Sequence, residues 1–396
     1  MSSYTIASTG SLQNKAEIGH GYTAQEVDHS GKKSLTWHFK GENIHDFVWA
    51  ADPDYKHVVV KEEGVPELHF FFQEGDETAE WSNLPEYVVK GFRIMNKRVG
   101  KYPYPVYSVV QGGDGGMEYS MATLITGHRN LRSLIGVTIH EMIHSWFQGL
   151  LATNEALFAW MDEGFTTYFE QETTSEMLGD TPHEGSYKGY FSILKAGLDE
   201  PMTVHADHYH SNYGYGINAY SKGNVLLHQL SYVVGQEAFE IGMRDYFETF
   251  KFRHPEPNDF KRCMEKASGL ELDWYFEYFV HTRHTIDYAI GDVDKSGKST
   301  TINLTRKGKM PMPMEVVVTT KDGSETNYYI PLRIMRGEKK AEGDKGHKVQ
   351  EDWAWTNSSY ELVVPTKRKE ITKIEIDPSG RLADVKASNN VWEADK

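Results

Sequence analysis

The pentapeptide His140-Glu141-Met142-Ile143-His144 is the part of this sequence best equipped for chemistry. Ile135, Ile139, Met142, Ile143, Trp146 and Leu150 recur around it at spacings of three and four, which predicts an amphipathic helix. On such a helix His140 and His144 stand one turn apart on one face, about 5–6 Å between Cβ atoms, so both imidazoles reach one ion. Glu141 lies one residue round, close enough to hold a water on that ion without being a ligand. A catalytic zinc usually takes three protein ligands and keeps one position open. The third should be a His, Asp or Glu, and Glu163 is the candidate. Eighteen residues separate it from His144, and Leu157, Trp160, Met161, Phe165, Tyr168 and Phe169 give its segment a helical apolar spacing of its own. Bound zinc makes water acidic near neutral pH, and Glu141 can take that proton and deliver it to a leaving amine. The reaction would be metal-assisted hydrolysis of an amide.

A second segment, QGGDGGMEYS over Gln111 to Ser120, sets four glycines within five residues ahead of a lone glutamate. Such runs can cradle a phosphate at a helix N-terminus. Here no Lys-Ser/Thr follows, and the formal net charge of −15 (57 acidic against 42 basic residues) repels polyanions. The same charge excludes nucleic acid as an expected partner.

The HEMIH pentapeptide, the gap to Glu163, the upstream Gly115-Gly116-Met117-Glu118 and the downstream Tyr220-Ser221-Lys222-Gly223 occur in an order that resembles the aminopeptidase-N-like gluzincin metallopeptidases. The resemblance implies one zinc per chain held by His140, His144 and Glu163, with Glu141 as general base. It also implies that Tyr220 donates a hydrogen bond to the tetrahedral oxyanion. Glu118 would bind the free α-amine of a peptide, with Gly115, Gly116 and Met117 beside it as substrate-binding residues. The chemistry agrees, because a terminal ammonium needs a carboxylate partner and glycines admit an extended peptide to a strand edge. Three departures stand out: Tyr119 and Asp162 occupy positions where the family usually has Asn, and Gln148-Gly149 stands where Gly-Asn is common.

The elements that must position these residues can be read coarsely. Short strands separated by turns are expected before about Asp54, for example Tyr4 to Ala7 and Leu35 to Phe39. Strands at His57 to Val60, Glu67 to Phe72 and Val106 to Gln111, a helix near Leu84 to Val99 and a further strand at Met121 to Ile125 should follow. A long helical region runs from about Arg132 to Val280, and from Asp287 the pattern returns to strands, which suggests a small β-sandwich. The charged stretch Gly337 to Asp352 reads as a solvated loop. The fold class is α+β and multidomain, and the resemblance gives its divisions: residues 1–55 as the remnant of an N-terminal β-domain, 56–286 as a thermolysin-like zinc catalytic domain, and 287–396 as a C-terminal β-sandwich.

The chain therefore resembles a version lacking most of the family's N-terminal domain, a part that usually adds a second polar side chain to the amine site. No apolar run approaches the roughly 18 residues needed to cross a bilayer, and MSSYTIASTG lacks the features of a signal peptide. A soluble chain without membrane insertion is expected, with the compartment open to a periplasmic or secreted location if residues lie upstream. The lone Cys263 reads as a small core residue. His205 to His210 read as a cleft-lining or solvated loop, and His281 and His284 as charges at a helix C-terminus. The leading expectation is a zinc aminopeptidase acting on peptides with a free N-terminus. The rivals are a zinc endopeptidase or other hydrolase with the same centre, and a non-catalytic interaction module of the same fold.

Overall fold

The computed structural model describes residues 5–9, 11–12, 25–29, 32–36, 39–113, 115–343 and 346–394. Tyr4, Trp37, His38 and Asp114, which fall inside expected features, lie outside the described residues. The chain forms two compact units, one from 1–155, 161–182 and 247–255, the other from 156–160, 183–246 and 256–396.

The first unit is organised by a five-stranded sheet in the order Gly116–Tyr119, Ala122–Thr126, Val106–Gly112, Glu67–Gln73, Tyr55–Val60. The three inner strands run parallel, and the two outer ones pair antiparallel with their neighbours. Glu67–Gln73 and Val106–Gly112 are runs of buried residues rather than alternating ones, as strands covered on both faces must be. One side is covered by Ala7, Phe71 and Val110 with Ala50, Tyr55 and Leu124. The strand Gly116–Tyr119 closes the sheet at one edge. It was not foreseen, because glycine weakens every sequence signal for a strand.

The expected helix near Leu84 runs from Leu84 to Arg98, and the His140-to-His144 pentapeptide lies on Leu131–His144. Asn130 caps the latter by accepting from the Ser133 N–H at 2.9 Å. These two helices meet at Gly91, where a Cβ would lie 2.7 Å from Ile139 Cδ1 and 2.8 Å from Met142 Cε. A larger residue would push on the face opposite the histidines. The helix then widens into a π-helical turn at Ser145–Leu150, and a second such turn at Trp160–Gly164 leads into the helix Phe165–Leu178.

The second unit contains the helices Glu184–Ala196, Lys222–Val234 and Asp273–Val280 among others, followed by strands from Tyr288 onward. Those strands make a three-stranded antiparallel sheet and a five-stranded one, with Ile302 and Leu304 of the first and Val316 and Val318 of the second fully or almost fully buried. Cys263 is buried on the helix Pro257–Ser268, as expected. Gly337 to Asp352 is largely exposed, as expected, but two parts of it depart from a solvated loop. Gly346–Val349 adds in parallel to Glu325–Ile330, and Lys339 is buried, its ammonium 2.6 Å from Glu315 and 2.7 Å from Glu342. Among the described residues no helix is long and apolar enough to cross a membrane.

Candidate metal centre

His140, His144 and Glu163 come together in the first unit. His140 Nε2 and His144 Nε2 are 3.1 Å apart, and each lies 3.2 Å from Glu163 Oε2. An ion with bonds of about 2.0–2.1 Å in tetrahedral geometry needs donor atoms about 3.3 Å apart. The triangle has that size, and its three residues form a group that could hold a metal ion.

Each histidine is fixed from behind through its other nitrogen. Asp162 Oδ1 lies 2.7 Å from His144 Nδ1, with the Thr166 hydroxyl 3.2 Å from the same atom. Glu170 Oε2 lies 3.5 Å from His140 Nδ1. A carboxylate there selects the tautomer that leaves Nε2 with its lone pair for a metal and raises its basicity. Asp162 had been noted only as a departure from the family pattern, and Glu170 not at all. The signal for Glu170 was its spacing: Glu163, Thr166 and Glu170 fall at i, i+3 and i+7, one stripe of a helix.

Electrostatics fit a missing positive charge. Burial disfavours charge on both histidines, yet Glu163 and Glu170 hold His140 up at about 9, and Asp162 and Glu163 hold His144 well above the ordinary imidazole range. Burial would raise Glu163, but the two imidazoles pull it far below the usual carboxylate range. Glu141 is buried, and that burial lifts its carboxyl to about 7 although both histidines oppose the shift.

Glu118, Glu141 and His144 also present polar atoms within 4.8 Å of one another, as do Glu118, Glu155 and Asp162. Glu118 sits on the edge strand opposite Thr123, its pKa raised chiefly by burial. Gly116 on the same strand is needed for a different reason than the one expected. A Cβ there would strike the Glu141 carboxylate and come within 2.7 Å of Val137 Cγ2. Gly115 shows no such constraint, and its carbonyl accepts from the Thr126 N–H at 2.9 Å. Met117 is 44% exposed on this strand.

Tyr220 belongs to the second unit, on a third π-helical turn, Gly216–Ser221, with its ring edge-on to Tyr215 at 6.0 Å. Tyr213, before this turn, is exposed with its hydroxyl 3.3 Å from Ser192 Oγ. In the His205 to His210 segment the His210 ring binds Glu200 at 2.8 Å, and no metal-sized group includes any of these histidines among the described residues.

Residues 114–279 match the family model described as Peptidase family M1 domain. The chain is 29% identical over 163 residues to leucine aminopeptidase 2 of Phaeosphaeria nodorum, covering 38% of this chain and 26% of that protein. It is 28% identical over 188 residues to human aminopeptidase B, covering 42% and 26% respectively. Among solved structures, aminopeptidase A of Legionella pneumophila in complex with aspartic acid aligns with a TM-score of 0.67 at 14% identity, over 96% of this chain and 42% of that one. The M1 zinc metallopeptidase of Deinococcus radiodurans aligns at 0.55 and 19% identity, over 71% and 61%. The chain thus spans about a quarter to a third of the length of the curated relatives it matches. Residues 114–279 are thus similar to a peptidase family M1 domain, and the metal-sized triangle lies inside that match.

Proposed function

We propose that this protein is a zinc aminopeptidase that removes N-terminal residues from peptides. The observation that carries the reading is the triangle of His140, His144 and Glu163 with the buried Glu141 beside it. One zinc per chain would be held by those three residues, supplying Lewis acidity for the scissile carbonyl and for water. Glu141 would accept the proton of the attacking water and pass it to the leaving amine, as its place beside the triangle allows. Glu118, on an edge strand to which an extended peptide could add, would bind the α-ammonium. Gly115, Gly116 and Met117 would line the same strand, and Gly116 also gives Glu141 its space. Tyr220 would donate its phenolic hydrogen to the oxyanion, as the motif resemblance implies. We read the architecture as a thermolysin-like catalytic domain over 56–286, preceded by a β-domain remnant and followed by a β-sandwich.

The test uses one peptide with its N-terminus free and the same peptide acetylated, with and without chelator. Cleavage of the free peptide alone, lost with chelator and restored by zinc, is expected. Equal cleavage of the acetylated peptide would identify an endopeptidase instead.

A further inference from the structure

A π-helical turn leaves backbone groups out of α-helical register, so its geometry must be fixed from outside. On the turn Gly216–Ser221 that work falls to the two residues flanking Tyr220 at a distance of two. Asn218 and Lys222 are 0% and 2% exposed, and both end on the backbone of one residue, Glu200. The Lys222 ammonium donates to the Glu200 carbonyl at 3.1 Å, and the Glu200 N–H donates to Asn218 Oδ1 at 3.4 Å. Asn218 Nδ2 in turn donates to the Gly214 carbonyl at 2.8 Å.

The Glu200 side chain extends the same hub. Its carboxylate accepts from the His210 N–H at 3.3 Å and meets the His210 ring at 2.8 Å. Gly214 passes so close that a Cβ would lie 3.1 Å from Glu200 Oε2. The aromatic neighbours of Tyr220 are part of the held segment: Tyr215 packs edge-on to it, and Tyr209 edge-on to Tyr215 at 5.7 Å.

A lysine is a costly way to fill this space. Burying an ammonium costs several kcal/mol that methionine would not, and burial brings Lys222 down to about 8. The Phe279 ring at 5.6 Å and the field of Asp199, itself bound by Arg283 at 2.8 and 3.0 Å, offset only part of that. The bond to Glu200 is what methionine could not supply.

We infer that Asn218 and Lys222 are positioning residues that clamp the turn Gly216–Ser221 onto the Glu200 backbone and so hold Tyr220 in one orientation for the reaction. The inference rests on the proposed role of Tyr220.

The test is a double-mutant cycle on the full-length chain loaded with zinc, read as kcat and KM on an aminoacyl anilide. Lys222→Met should lower kcat at least tenfold with KM within twofold and zinc content unchanged. In the Tyr220→Phe background the same substitution should cost less than twofold, because the group it positions is already gone. Losses that multiply in the double variant, or a Lys222→Met variant with unchanged kcat, would overturn the clamp. Full activity in Tyr220→Phe would instead overturn the reading on which it rests. If Lys222→Met does not fold, Asn218→Ser enters the same cycle with the same outcomes.

Discussion

Two buried clusters of charge, one in each unit, look alike in composition and differ in how they close. Around Lys339 every charge finds its opposite within the chain. Its ammonium touches Glu315, Glu342 and the Tyr232 carbonyl, and lies 4.4 Å from the Tyr232 ring centre. Arg381 binds Glu342 at 2.6 Å. Around His144 the count does not balance. Glu118, Glu141, Asp162, Glu163 and Glu170 surround two imidazoles, and three lone-pair-bearing atoms converge on one point. A buried network that neutralises itself is a structural staple, whereas one with surplus negative charge and converging lone pairs is incomplete without a cation. Burial and charge do not separate the two cases; closure does.

The largest effect should come from removing a vertex of the open cluster. Glu163→Gln is expected to abolish zinc retention in metal analysis and to lower kcat/KM by about a thousandfold or more. Retained stoichiometric zinc would mean that the triangle is not the metal site. Glu141→Gln should instead keep zinc and lose turnover by a similar factor, so full activity there would refute its role as base.

Breaking the closed cluster should cost stability and not activity. Lys339→Met leaves Glu315 without its cation and Glu342 with Arg381 alone, a loss of about 3–5 kcal/mol on denaturant unfolding. A neutral result would show that this network is dispensable.

Smaller still is the effect of the carboxylate behind His144. Asp162→Ala should weaken zinc binding about 10–100-fold by competition with a chelator, while leaving the fold intact.

Asp377, held beside this cluster by Ser379 and the Leu382 N–H, titrates in a readable way, as does Glu342 within it. Burial raises Asp377 to about 6, so its contribution is fully present below the unfolded value of about 3.9 and lost as pH rises through about 6. Burial opposes ionisation of Glu342 too, but Arg381 and Lys339 hold it at about 2. Its contribution is present above about 4.3 and lost as pH falls toward 2. Between pH 7 and 4.5 Asp377 should therefore add about 2 kcal/mol to the unfolding free energy, a part of the pH dependence that Asp377→Asn removes. A gain that survives in that variant would assign it to other groups.

How much of this was legible in the sequence depended on distance along the chain. His140 and His144 lie one helical turn apart, so periodicity alone put them together. Glu163 needed a helix of its own and a resemblance, because spacing across a loop does not fix where two helices meet. Asp162 and Glu170 were hidden for the same reason, although both lie on the segment that carries Glu163. The reading of QGGDGGMEYS foresaw a close approach at its glycines but named a substrate as the approaching group. At Gly116 the neighbour is Glu141, from a helix that starts more than ten residues later. Lys339 was the clearest miss. It stands in a run of charges that looks solvated, and its partners Glu315 and the Tyr232 carbonyl are tens of residues away, so no local pattern could reveal its burial.

The π-helical turns bear on what insertions and deletions this protein can tolerate. Each successive residue of a helix advances by about 100°, and a π-turn is one residue longer than the turn it replaces. Glu163 sits inside the turn at Trp160–Gly164, so the wide winding of that turn sets which of its side chains faces His140 and His144. Deleting a single residue there, with every ligand left in the sequence, would rotate Glu163 out of the triangle. At this point the length of the chain is as much a part of the site as the identity of its ligands.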